Sequence, residues 1–208
     1  MTNLTLCGEF INLRPLTPED AAMTLRWRQS ARAANLNQGA TSVEQQAAWI
    51  ASRPASEYNF IICIKSGQPV GMVSLAGIDQ THRHGEPGRF LIGEEDAVRG
   101  VPVAVEAMKL VYELAFDQLK LLRVFGTIAS GNTLMIKWQR FLGMREEGRL
   151  RRHYFINGHF QDAVLLGMLE EEYRHHALPR MNSLIAAGRK SGKADGNTLD
   201  GMRSQNDE

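Results

Sequence analysis

Cysteine is nearly absent. The chain has two in 208 residues, Cys7 and Cys63, with no partner at metal-ligand spacing. That excludes a disulfide-stapled scaffold and a zinc ribbon, and leaves two buried, reduced thiols as the expectation; no metal is expected. An excess of either charge is also missing. Lys plus Arg total 24 against 23 Asp plus Glu, a formal charge of +1. Proteins that bind nucleic acid by broad phosphate neutralisation carry a marked basic excess, so nucleic acid is not an expected partner. No apolar run approaches the roughly 20 residues that span a bilayer, so no membrane helix is expected. The opening Met1-Thr2-Asn3-Leu4-Thr5-Leu6 has neither a basic n-region nor an apolar h-region, which argues for a cytoplasmic protein. What is present is ordinary: 43% hydrophobic and 23% charged residues, enough at this length for one sizeable core.

The expected domain runs from residue 1 to 188. Residues 189–208 are rich in Gly, Ser, Asn and Asp, have almost nothing to bury, and read as a disordered C-terminal tail. Within the domain, Phe10, Ile11 and Leu13 lead into Arg14-Pro15, a first strand. Thr17-Pro18-Glu19-Asp20 starts a helix, and Ser42-Val43-Glu44-Gln45 is a capping box opening a second. β-rich runs from Tyr58 to Lys65 and Val70 to Ile78 flank Ser66-Gly67-Gln68, a hairpin turn. A short strand at Gly88 to Gly93 precedes a long helix marked by Val103, Ala107, Leu110 and Leu114. A strand from Leu121 to Ile128 and a helix from Thr133, burying Leu134, Trp138 and Phe141, follow. Two last strands flank Asn157-Gly158, a strong hairpin signal, and Leu169 to Ala187 suits a final helix. This order predicts an α+β plan, a mixed and largely antiparallel sheet with helices on both faces.

Two stretches carry chemistry. Asp96-Ala97-Val98-Arg99-Gly100-Val101-Pro102-Val103-Ala104 is a Gly-containing turn running directly into a helix N-terminus. Unpaired N–H groups and the positive end of the helix dipole suit a pyrophosphate there, beside Arg99. The second stretch comprises Asn132-Thr133-Leu134, Trp138-Gln139-Arg140-Phe141-Leu142-Gly143-Met144, Glu147-Gly148, Phe155-Ile156-Asn157-Gly158 and Asp162-Ala163-Val164. With Arg99 and Ala104 upstream, this pattern resembles the GNAT superfamily of acetyl-CoA-dependent N-acetyltransferases over roughly residues 8 to 172. The nearest branch holds ribosomal-protein N-terminal, spermidine and amino-sugar acetyltransferases.

The resemblance implies a GNAT fold with splayed central strands and acetyl-CoA as cosubstrate. It assigns the pyrophosphate to Arg99, Gly100, Val101, Val103 and Ala104, and the pantetheine amides to Leu91 and Ile92. Asn132 would meet the pantetheine side and also serve as helix N-cap; Lys137 would reach the cofactor or sit on a solvated face. Two departures stand out. Pro102 replaces a usual glycine and should remove one phosphate contact without blocking the turn. Gln139 replaces a tyrosine that protonates the departing thiolate in many relatives; with a thiol pKa of about 8.5 the sulfur is still a tolerable leaving group.

An alkyl-ammonium of pKa about 10.4 is only about 0.1% neutral near pH 7.4, a deficit of roughly 4 kcal/mol, so a base is expected. Glu86 is the first choice, with a loop carboxylate as its bland alternative; His84 is a second base or substrate contact. The Trp27-Arg28 segment lies where relatives build the acceptor pocket, and Arg28 would hold phosphate, Trp27 otherwise serving as a core anchor. The expected function is N-acetyl transfer to a primary amine by direct attack, with a nucleotide-linked amino sugar as first acceptor. The alternatives are a protein N-terminus, a small amine or polyamine, and a catalytically impaired acyl-CoA-binding protein. The partner is therefore a small-molecule or peptide amine, and a homodimer is compatible with the pattern.

Overall fold

The computed structural model describes residues 4–34, 36 and 39–196. One eight-stranded sheet organises them, in the order β1-β2-β3-β4-β5-β6-β8-β7. The strands are β1 (Leu6–Cys7), β2 (Ile11–Pro15), β3 (Tyr58–Ile64), β4 (Pro69–Asp79), β5 (His84–Ile92), β6 (Arg123–Ala129), β7 (Arg145–Ile156) and β8 (His159–Leu169). All neighbours are antiparallel except β5 and β6. The α+β plan with a mixed, largely antiparallel sheet is borne out.

β3 reads as an unbroken apolar run because both of its faces are covered. Phe60 and Ile62 point to one core with α3 (Val103–Glu113) and Tyr173, Ala177 and Met181. Ile61 and Cys63 point to a second core beneath α1 (Ala21–Arg28) and α2 (Val43–Ala51), with Trp27, Ile50 and Met72. Ser42 caps α2 as its sequence implies, its hydroxyl accepting from Gln45 N–H at 3.2 Å. Gly67 at φ 90°, and Asn157 and Gly158 at φ 51° and 81°, make the two hairpin turns. The latter pair has both central residues at positive φ, the signature of a type I′ turn.

Four expectations need correction. Cys7 is exposed, because the two-residue edge strand turns Leu6 inward and the next side chain outward. In α4 (Thr133–Phe141) the buried stripe is not Leu134, Trp138 and Phe141: Leu134 is 75% exposed and Phe141 49%. The helix instead presents Met135, Gln139 and, just past its end, the fully buried Leu142. Pro18 opens a 3-10 turn, Pro18–Asp20, before α1 begins. Finally, a short helix, α5 (Glu170–Glu172), leads through a wide turn at Tyr173–Ala177 into α6 (Leu178–Gly196), which enters the segment read as a tail. Its Arg189 pairs with Glu9. Residues 197–208 of that segment lie outside the described residues.

Candidate active site

The site begins with a missing strand pairing. β5 and β6 pair only at His84↔Arg123 and Gly85↔Val124, and beyond that the two parallel strands separate into a wedge. β6 pairs with β8 along its whole other edge and β5 with β4, so the wedge is walled by strand edges whose backbone groups have no strand partner there. Such edges attract an extended, amide-bearing chain, because unpaired backbone N–H and C=O groups are costly to leave unmade. The Leu91 and Ile92 side chains are buried in the two cores, so only their backbone edge is left to meet a ligand.

A β-bulge sharpens the wedge. Met72 opposes Leu91 and Ser74 opposes Gly88, which sets two β5 residues, Arg89 and Phe90, against Val73 alone. Arg89 lies at φ 50°, left-handed backbone that a non-glycine residue adopts at a cost of about 1–3 kcal/mol. Its guanidinium donates to Glu57 and Asn59, both at 3.0 Å, and lies 5.4 Å from the Trp49 ring centre. Phe90 stacks on Trp138 at 5.1 Å, fixing α4 against the bulge.

Glu86 stands where the strands part. A side chain at Gly126 would start 3.7 Å from its carboxyl oxygen. Burial pushes the Glu86 carboxyl above the ordinary carboxylate range, against the opposing pull of Arg89, the Thr127 backbone N–H and His153. It is a β5 residue, not a loop carboxylate. Glu86 does not itself line the cavity of about 390 Å³ that opens beside it, whose walls include Arg28, Trp49, Arg89, Asn132, Gln139 and Tyr154. Tyr154 shares a 2.6 Å hydrogen bond with the Thr127 hydroxyl. Burial, and next the Arg89 charge, lower the Arg28 pKa, so two guanidinium groups crowd one wall.

Other expected site residues are dispersed. Asn132 lines the cavity while its side chain caps α4, accepting from Met135 N–H at 3.3 Å. Lys137 is exposed and does not line the cavity. His84 sits at the paired end of the wedge, edge-on to Phe125 at 5.2 Å, away from the cavity walls. Trp27 is a core anchor rather than a substrate contact: it is 2% exposed, donates to Glu94 at 2.8 Å, and lies where a Gly93 side chain would have to go.

The loop before α3 is built differently from the expectation. Pro102, at φ −78° and ψ 41°, is the centre of an inverse γ-turn in which Val103 N–H donates to Val101 C=O at 2.8 Å. Val101 N–H donates to Val98 C=O at 3.0 Å. Both donors expected for a pyrophosphate are thus engaged within the loop, and the Val103 side chain is buried. Arg99, Gly100 and Ala104 remain. Among the described residues, Gly100, at φ 78°, faces open space, with nothing within 4 Å of an added Cβ, and exposed Arg99 pairs only with exposed Asp96 at 2.7 Å. An anion fits this cradle with fewer backbone contacts. Pro102 also seats α6: a side chain at Gly188 would meet its ring at 2.6 Å.

Residues the sequence did not single out include Gln46, Trp49, Thr127 and Tyr154. Gln46 and Trp49 stand three apart on one face of α2, a spacing that was readable; Tyr154 follows only from the β7–β8 register, where it opposes Gln161.

Comparisons agree with this geometry. Spermidine N(1)-acetyltransferase of Escherichia coli K12 is 30% identical over 119 residues, 57% of this chain and 61% of that one. The chain therefore spans about three-fifths of that relative. The prophage-derived uncharacterized N-acetyltransferase YokL of Bacillus subtilis is 28% identical over 174 residues, 80% of this chain and 93% of that one. A GCN5-related N-acetyltransferase from Brucella melitensis superposes with a TM-score of 0.75 at 21% identity, covering 88% of this chain and 86% of that one. The family model described as the acetyltransferase (GNAT) domain matches residues 11–145. With its wedge between parallel strands and this match over most of its length, the chain belongs to the GNAT acetyltransferase family.

Proposed function

We propose that the protein transfers an acetyl group from acetyl-CoA to a primary amine. The observation that carries this reading is Glu86, a carboxyl raised above its ordinary range at the point where β5 and β6 part. GNAT acetyltransferases use acetyl-CoA as acetyl donor, and the bound thioester supplies the acyl carbon. The strand edges along 87–92 and 125–129 suit its amide-bearing arm, and Arg99, Gly100 and Ala104 suit its phosphates. Glu86 then accepts a proton from the acceptor ammonium, directly or through one water, so that the neutral nitrogen attacks. A carboxylate with a raised pKa is the stronger base for this task.

The acceptor carries an anionic group. Arg28 and Arg89 line the cavity, and no Asp or Glu does so among the described residues. A phosphate or carboxylate accepts bidentate hydrogen bonds from a guanidinium such as Arg28, with Arg89, already paired with Glu57, beside it. This supports a nucleotide-linked amino sugar first. The spermidine reading, favoured by the E. coli relative, puts a polycation against the same wall.

Release of free thiol from acetyl-CoA tests both points, with a nucleotide-linked amino sugar, glucosamine 6-phosphate, an N-terminal peptide and spermidine as acceptors. Amine-dependent release that is fastest with a phosphate-bearing amine is expected. Tight CoA binding without release would make the chain a binding module, and preference for spermidine would overturn the anionic acceptor.

A further inference from the structure

We infer that Gln139 hydrogen-bonds the departing sulfur, so that the thiol leaves as a stabilised anion instead of being protonated by a tyrosine. This rests on the acetyl-transfer reading. Gln139 is 7% exposed, on the inner face of α4, and lines the cavity. The adjoining Trp138, stacked on Phe90, holds this turn of α4 against the β5 bulge.

The amide has one partner that sets its orientation. Tyr112 of α3 is completely buried, and its hydroxyl lies 3.3 Å from Gln139 Oε1. Burial pushes the Tyr112 phenol well above its usual value, so it stays protonated and must donate. Among the described residues its acceptor is Gln139 Oε1. Turning the amide round would leave a buried O–H without an acceptor, which is costly. With Oε1 committed to Tyr112, neither Nε2 hydrogen has a partner among the described residues, and the group that lacks a proton to give still has two donors for a cavity occupant.

The step balances without an acid. Once Glu86 has taken the ammonium proton, the neutral amine nitrogen bonds to the acyl carbon, the carbon–sulfur bond breaks with its electron pair passing to sulfur, and the second proton shed by the acylated nitrogen passes to solvent. The thiolate, of conjugate-acid pKa about 8.5, departs between the Nε2 donors and is protonated later by solvent. Donors aimed at developing charge in a water-poor site act in the transition state more than in the ground state.

Gln139→Glu separates this role from a structural one, because it preserves the acceptor for Tyr112 while replacing two N–H donors with a carboxylate oxygen. At pH 8 its kcat should fall by about 10- to 150-fold, the range for hydrogen bonds to charged groups, with CoA affinity by calorimetry little changed. The double variant Tyr112→Phe/Gln139→Met replaces both partners by apolar groups of similar shape, so it should fold and still lose kcat to a similar degree. Tyr112→Phe alone should lose far less. These are read with the fastest of the four amines above. Wild-type kcat in either Gln139→Glu or the double variant overturns the role of Gln139, as does a loss confined to the KM for acetyl-CoA. Wild-type protein that releases no thiol with any of the four overturns the acetyl-transfer reading itself.

Discussion

The Glu106 carboxyl carbon lies 2.6 Å from where a side chain at Gly8 would begin. That carboxylate, 4% exposed in the first turn of α3, accepts backbone N–H groups from Glu9, Phe10 and Ile11 at 2.5, 2.8 and 3.0 Å. It ties the β1–β2 turn to the helix whose N-terminus borders the Arg99–Gly100 loop. Glu106→Gln keeps the shape but swaps one accepting oxygen for a donor facing donors. Unfolding in urea should show a loss of about 1.5–3 kcal/mol, and Gly8→Ala should also destabilise; a wild-type midpoint for both would contradict the latch.

Arg99→Ala should weaken CoA binding by about 1.5–3 kcal/mol in calorimetry with no change in thermal midpoint, since among the described residues the side chain pairs only with exposed Asp96. Because Val101 and Val103 donate within the loop, this arginine should carry a larger share of any phosphate recognition than the resemblance implies. Unchanged affinity would remove it from the site.

Arg28→Ala should raise the KM of a phosphate-bearing amine by about 10-fold or more, and that of the same amine without phosphate far less. Equal effects on both would mean that Arg28 shapes the cavity without binding the anion.

Glu86 titrates with a direction that can be followed in two ways. Its folded pKa is raised, so the acidic limb of kcat/KM should fall above the ordinary carboxylate range, and Glu86→Gln should lose both the limb and most of the rate. For stability, a raised carboxylate favours the folded state while it is protonated. That contribution is fully present below the unfolded value and is lost as pH rises through the folded one. Glu86→Gln should therefore gain stability relative to wild type as pH is raised across that window. A gain that is flat with pH would show that the carboxyl is unperturbed.

Much of the frame was legible because local chemistry decided it. Ser42 with Gln45, and Asn157 with Gly158, encode a cap and a turn that no distant contact has to impose. β7 was the opposite case. Its start, Arg145-Glu146-Glu147-Gly148-Arg149, looks like a solvated loop and becomes strand only by pairing with β8 from Gly167 to Val164. The α4 face was misread because Leu134, Trp138 and Phe141 also stand at helical spacing; Arg180 covers exposed Phe141 instead, its guanidinium 5.4 Å from the ring. Of the candidate site, Arg28 and Asn132 in the cavity wall and Glu86 beside it were readable. The burial of Gln139 was not, because its reason is Tyr112, 27 positions away on another helix.

The two residue pairs that join β5 to β6 divide the sheet into a five-stranded and a three-stranded plate sharing one corner. An extended molecule lodged between the plates stands in for the absent strand and touches both. Binding is then coupled to unfolding by mass action: CoA at about 100 times its dissociation constant should add about 2.7 kcal/mol to the folded state. Amides along 125–129, shielded by β8 on one side only, should be the ones whose hydrogen exchange slows most when CoA is present.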